Sequence, residues 1–287
     1  MILRRSARLA LLIALSPPSA SCQQEPTQSR GLRERFDFAT PAARFDLPGR
    51  LDEISGLGVT PDGRLFGHDD ERATLHEIDP ATGEVGKRFS LGDPPLRGDF
   101  EGLAIVDERF FLVTSAGQLY EFREADDRAE APYRVTDIGL GAGCEMEGLD
   151  HDPLDDVLLV PCKASVPERG MIVVHRLRLD PALPPLPPIE IARSQLADHG
   201  VRPGFEPSSV LVDPSGSLIL VSAVVEALVE VDRSGAVLSA LPLSRDRHPQ
   251  PEGLAFSREG ALLLADERND GNARLTVYAQ SRPRPAR

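Results

Sequence analysis

Ile54-Ser55-Gly56-Leu57 is a short phrase that returns four times: Phe100-Glu101-Gly102-Leu103, Met146-Glu147-Gly148-Leu149, Pro207-Ser208-Ser209-Val210 and Pro251-Glu252-Gly253-Leu254. The third positions stand 46, 46, 61 and 44 residues apart, which is the period of a four-stranded propeller blade. The segment after each phrase repeats as well. The first phrase leads into the turn Pro61-Asp62-Gly63, the apolar Leu65-Phe66, the run 75–78 and the turn 79–83. The last leads into Glu259-Gly260, Leu262-Leu263-Leu264 and the run 275–278. Short apolar or alternating runs between Asp, Pro and Gly turns are strand signals, and no window sustains helical spacing. The predicted fold is all-β, a five-bladed β-propeller of four-stranded antiparallel blades.

Arg44-Phe45-Asp46-Leu47 alternates like a strand just before the first phrase. Equivalent runs at 87–91, 134–138, 189–192 and 237–243 precede the other phrases, each as the outer strand of the preceding blade. The fifth blade has no such run after Tyr278, since 281–287 is basic and proline-rich. Residues 44–47 are left over to fill that place, and closure by the N-terminal strand would remove exposed sheet edges.

Ahead of the propeller, Arg4, Arg5 and Arg8 precede the apolar residues 9–15, with Ser19-Ala20-Ser21-Cys22 downstream. A basic head, a short apolar run and small residues form a secretory signal, and the run is too short to span a bilayer. The predicted organisation is a signal peptide at 1–21, a polar tether at 22–42, the propeller at 43–280 and a disordered tail at 281–287. Cys22 resembles the lipidated cysteine of bacterial lipoproteins. Ser19 stands where that motif usually has Leu, so plain cleavage before Cys22 is the alternative. The expected location is the periplasm or outer membrane, otherwise the medium.

Removing the three signal arginines takes the formal charge from −13 to −16. That disfavours nucleic acid and anionic lipid, leaving an N-terminal lipid anchor as the only membrane contact, and it suits cations. The 61-residue spacing holds a proline-rich insertion at 181–188, read as a stiff surface loop in preference to a recognition segment. Cys144 and Cys162 lie opposite each other in a hairpin folded about residue 153, which in an oxidising compartment argues for a disulfide. A free thiol pair or a metal site is the weaker alternative.

First strands of propeller blades line the central channel, so equivalent phrase positions form rings. The second position gives Ser55, Glu101, Glu147, Ser208 and Glu252. Two residues earlier, on the same face of an ideal strand, stand Glu53, Asp99, Glu145, Glu206 and Gln250. Seven carboxylates in two stacked rings repel one another unless a cation or base compensates. All-oxygen donors favour Ca²⁺ over zinc or copper. The alternative is a set of structural acids in a wet pore. At the end of the second strands, Asp69, Asp70, Asp266 and Glu267 come from the blades that meet at closure and extend the site. Lys163, at an equivalent place, neutralises neighbouring acids or binds an anion. Of the six histidines only His68 and His151 fall near the channel ends.

The phrases in this order, with His68-Asp69-Asp70-Glu71 in the first blade and Ala265-Asp266-Glu267-Arg268 in the last, resemble the bacterial SdiA-regulated family over about residues 43–280. The resemblance implies an exported five-bladed propeller, distantly related to NHL-repeat propellers, with a calcium site and no established activity. The matching acidic positions are Glu101, Glu147 and Glu252. Ser208-Ser209 departs from Glu-Gly in the fourth copy. Two functional classes are consistent with it. One is a cation-binding module for a small-molecule or envelope-protein ligand. The other is a metal-dependent hydrolase, lactonase-like or phytase-like, in which the cation polarises an oxygen and a channel carboxylate activates water. The phytase-like variant lacks bases for its anionic substrate, since Lys163 is the only one at the aligned ring positions.

Overall fold

In the computed structural model, which describes residues 31–163, 170–269 and 271–281, 20 strands form five four-stranded antiparallel sheets. The first blade holds β2 (Ile54–Val59), β3 (Leu65–Asp69), β4 (Arg72–Ile78) and β5 (Val85–Ser90). The second holds β6 (Phe100–Val106), β7 (Arg109–Thr114), β8 (Gln118–Arg123) and β9 (Tyr133–Asp137). The third holds β10 (Asp150–Asp152), β11 (Val157–Pro161), β12 (Met171–Arg178) and β13 (Ile189–Ala192). The fourth holds β14 (Ser209–Val212), β15 (Leu218–Ser222), β16 (Ala227–Val231) and β17 (Val237–Pro242). In the fifth, β18 (Pro251–Phe256), β19 (Leu262–Asp266) and β20 (Arg274–Tyr278) are joined by β1 (Ala43–Asp46) from the N-terminal side, with Ala43 opposite Val277 and Asp46 opposite Arg274.

An apolar cluster fills each of the five gaps between successive blades, including the gap between the fifth and the first. This is why the second strands read as unbroken apolar runs. In β15, Leu218 and Leu220 face the third blade while Ile219 and Val221 face the fifth, so both faces are buried. Between the first two blades the packing is aromatic: Phe66, Phe89, Phe110 and Phe122 meet mostly edge to face. Among the outer strands, β9 is exposed throughout.

Part of the expected tether is folded. Helix α1 (Leu32–Arg35) packs Leu32 and Phe36 against Leu241, Leu254 and Tyr278. Its Arg35 donates to Asp213 and, at 2.9 Å, to Glu230, both buried. The apolar pair at i and i+4 beside a buried ion pair is what ends the tether by residue 31. The signal peptide, Cys22, the tether's first residues and the tail from 282 lie outside the described residues. The long spacing before the fourth blade also contains a second helix, α2 (Arg193–Asp198), held by buried Leu196.

Cys144 and Cys162 form a disulfide with a Cα–Cα distance of 5.3 Å. The free-thiol and metal alternatives fall with it. The register is not the one expected: Met146, not Cys144, pairs with Cys162, so the disulfide bridges a diagonal. No helix among the described residues is long and apolar enough to cross a membrane.

Candidate functional site

Glycine at the third phrase position lets the inner strands converge. A Cβ on Gly56 would stand 2.4 Å from His68 Nε2 and 3.0 Å from the Leu103 backbone nitrogen; one on Gly102 would stand 2.4 Å from the Gly148 carbonyl carbon. One on Gly148, whose φ is +80°, would lie 2.7 Å from Ser209 Cα, and one on Gly253 2.9 Å from Leu57. No side chain fits at such distances. Each glycine faces the inner strand of the next blade, and Gly253 faces the first, so these positions form the neck of the ring.

The second phrase position occupies a β-bulge. The register slips between Ile54 and Gly56, between Phe100 and Gly102, and between Pro251 and Gly253, leaving Ser55, Glu101 and Glu252 unpaired across the sheet. A bulge re-aims the side chain of its extra residue. Glu101, Glu147 and Glu252 are thereby brought within each other's field. Burial, then Glu147 and Asp99, push the Glu101 carboxyl up to about 8. Burial pushes Glu147 up to about 7 against the pull of Lys163, and burial with Glu147 and Glu101 drives Glu252 well above its ordinary value. Lys163 Nζ donates to Glu147 Oε1 at 2.7 Å and lies 3.6 Å from Glu145. Ser55 donates to Glu101 at 3.1 Å. In the departing fourth copy, Ser208 instead donates to the Pro251 carbonyl at 2.7 Å, tying two blades together.

A second acidic group lies at the end of β3. The Asp70 backbone N–H donates to the Glu53 carbonyl at 3.0 Å, and carboxylate oxygens of Glu53, Asp69 and Asp70 all lie within 4.8 Å of one another. Asp70 Oδ1 is buried with no hydrogen-bond partner. Burial, together with the charges of Glu53, Asp69, Glu267 and Asp99, pushes Asp70 up to about 7; burial chiefly raises Asp69 to about 6. A buried, unpartnered carboxylate oxygen beside two further carboxylates suits a hard cation, and the set contains no nitrogen or sulfur donor.

The bulges break the two-residue parity, and the acids sort into a Glu101–Glu147–Glu252 group with Lys163 and a Glu53–Asp69–Asp70 group. Asp99 is exposed and takes the Ser115 hydroxyl, and Glu145 is exposed beside Lys163. Glu206 joins neither group among the described residues. Asp266 is committed elsewhere: buried, it meets His248 Nδ1 at 2.7 Å, and His248 Nε2 meets the Tyr278 hydroxyl at 2.5 Å. No other copy carries a histidine at that place, so the repeat gave no sign of this partner.

His68 lies under the neck, fully buried, its ring pushed down to about 4 by burial and Nδ1 placed 3.2 Å from the Asp69 carbonyl. His151 sits at the opposite end, 3.2 Å from Asp156. Beside it, half-buried Asp150 accepts backbone N–H bonds from Val212 at 2.6 Å and His151 at 2.8 Å, joining the third and fourth blades.

A five-bladed propeller with an acidic neck is the class this geometry defines. No family model and no curated protein sequence matches the chain. Its fold is similar to that of glutaminyl cyclase from Myxococcus xanthus, with a TM-score of 0.59 and 15% identity, over 84% of this chain and 96% of that one. It is similar too to a luciferin-regenerating enzyme, with a TM-score of 0.55 and 11% identity, over 84% and 95% of the two chains. At these identities the likeness is one of β-propeller fold.

Proposed function

We propose that this chain is an exported β-propeller of the SdiA-regulated kind, anchored through Cys22. In this reading it binds Ca²⁺ with Glu53, Asp69 and Asp70 and offers the surrounding mouth to a small-molecule or envelope-protein ligand. The observation that carries the reading is Asp70 Oδ1, buried without a partner where two more carboxylates converge. Burying a carboxylate is costly unless it is paired or coordinates a metal. A dication would hold all three in the ionised form. The basic, then apolar N-terminal sequence and the disulfide support export. The hydrolase alternative depends on the same ion, so one measurement bears on both.

That measurement is thermal unfolding after chelation, with Ca²⁺, Mg²⁺ or Zn²⁺ restored separately. A ligand bound only by the folded state adds about 2.7 kcal/mol at a hundred times its dissociation constant. Calcium is expected to raise the midpoint of the native chain and of Glu206→Gln, and to leave Asp70→Asn unmoved. A midpoint indifferent to every metal would remove the cation site and the hydrolase reading together.

A further inference from the structure

One face of the first blade departs from the acidic character of the chain. A cavity of about 730 Å³ opens over β4 and β5 and collects six arginines, Arg50, Arg72, Arg88, Arg97, Arg128 and Arg268, against four carboxylates, Asp52, Glu53, Asp69 and Glu71. In a chain of net charge −13 this is a local reversal of sign. Three of the arginines are committed, Arg97 to Glu71 at 3.2 Å, Arg268 to Asp52 at 3.3 Å and Arg128 to Asp127 at 3.6 Å, while Arg50 donates to the Val85 carbonyl at 3.3 Å. The guanidiniums of Arg72 and Arg88 donate no hydrogen bond among the described residues.

The two free arginines belong to a built surface. Strand side chains alternate, so Arg72, Thr74 and His76 of β4 share one face, and β5 places Arg88 opposite His76 and Ser90 opposite Thr74. His76 is 3% exposed and its Nδ1 has no partner. Burial, then the charges of Arg50 and Arg88, push the ring down to about 4, which leaves it neutral near pH 7. Pro94 and Pro95 add an apolar side. The volume falls within the range of small-molecule sites, about 300–1,000 Å³, and exceeds what a bare inorganic anion fills.

We propose that this cavity is the ligand seat of the propeller and that its ligand is an organic phosphomonoester, the dianion held between Arg72 and Arg88 and the organic part against Pro94 and Pro95. Guanidinium forks match phosphate oxygens two at a time, and two uncommitted forks match a dianion better than a single carboxylate. The inference rests on the ligand-binding reading above but not on its cation. Glu53 and Asp69 line the same cavity, so a cation held there faces the bound phosphate.

The test is calorimetric titration of the chain with phenyl phosphate, in chelator and in calcium, beside benzoate and sulfate at equal ionic strength. Phenyl phosphate is expected to bind, and the Arg72→Gln/Arg88→Gln pair, both exposed side chains, to weaken it by at least about tenfold with an unchanged melting midpoint. Arg88→Lys, which keeps the charge and loses the fork, is expected to lose part of the affinity. Asp70→Asn separates the two readings, because it should abolish the calcium response and still bind phenyl phosphate in chelator. The seat is overturned if the native chain binds no phenyl phosphate in either buffer, if the arginine pair binds as the native chain does, or if sulfate or benzoate binds as tightly.

Discussion

Lys163 reaches into a neck that holds three glutamates, and burial opposes its charge while Glu147 and Glu145 sustain it. Replacing it by methionine leaves Glu147 buried without a donor. The expected cost is about 1–3 kcal/mol near pH 8, by urea unfolding. It should shrink toward about pH 5, where Glu147, held near 7, is protonated with or without the lysine. A cost equal at both pH values would mean that Lys163 acts through its packing alone. At this scale the sequence was legible in residue type and not in placement. Glu101 and Glu252 stand out as repeated acids, but the bulge that turns them inward depends on backbone register, which no residue announces. Glycine in the phrase was legible as a constraint; that it faces the next blade was not. Arg72, Thr74 and His76 do alternate with Ala73 and Leu75, a polar stripe that a search of the third strand of each blade would have caught.

Strands were the most legible elements, because buried second strands such as β11 and β15 are apolar on both faces and their turns carry glycines with positive φ, Gly63 at +94° and Gly216 at +95° among them. Helix α1 was not legible: four residues, Leu-Arg-Glu-Arg, are too few to display a period. Its importance lies in one ion pair. Arg35 enters a buried site formed by Asp213 and Glu230, and Ser217 and Ser239 also donate to Glu230 at 2.8 and 3.0 Å. Arg35→Ala would leave two buried carboxylates without their countercharge, and removing one member of such a network costs about 3–5 kcal/mol. Urea unfolding of the variant should show that loss, whereas a change below about 0.5 kcal/mol would class α1 as a loose appendage.

Across the whole molecule the acids act together. Glu101 and Glu147, each with an ordinary value of 4.5, are raised to about 8 and 7, and Asp70 from 3.8 to about 7. Groups whose pKa is higher in the folded chain than in the unfolded one contribute stability that is full at low pH and is lost as pH rises through the folded values. His68 and His76, lowered to about 4, work in the opposite direction below their ordinary 6.5, so the clean window lies above it. The chelated chain is therefore expected to melt at a lower temperature near pH 8.5 than near pH 6.5, with calcium reducing the difference by favouring the ionised forms. A chelated midpoint that holds or rises across that window would mean that the acids are relieved by some contact other than a cation. The blade count was legible from the repeat alone. The sorting of acids into two groups and the arginine-lined cavity were not, since both are assembled from segments far apart in the chain.

Arg35 meets Asp213 at the far end of the inner strand β14, on the side of the ring opposite the one where Glu53, Asp69 and Asp70 gather. The described chain begins on that side, with the Leu32 N–H donating to Ser239 of the outer strand β17 at 3.4 Å. If the chain is anchored upstream of Leu32 as proposed, the anchor would draw that side toward the surface it is fixed to and turn the acidic and arginine-rich mouth outward, toward whatever diffuses past.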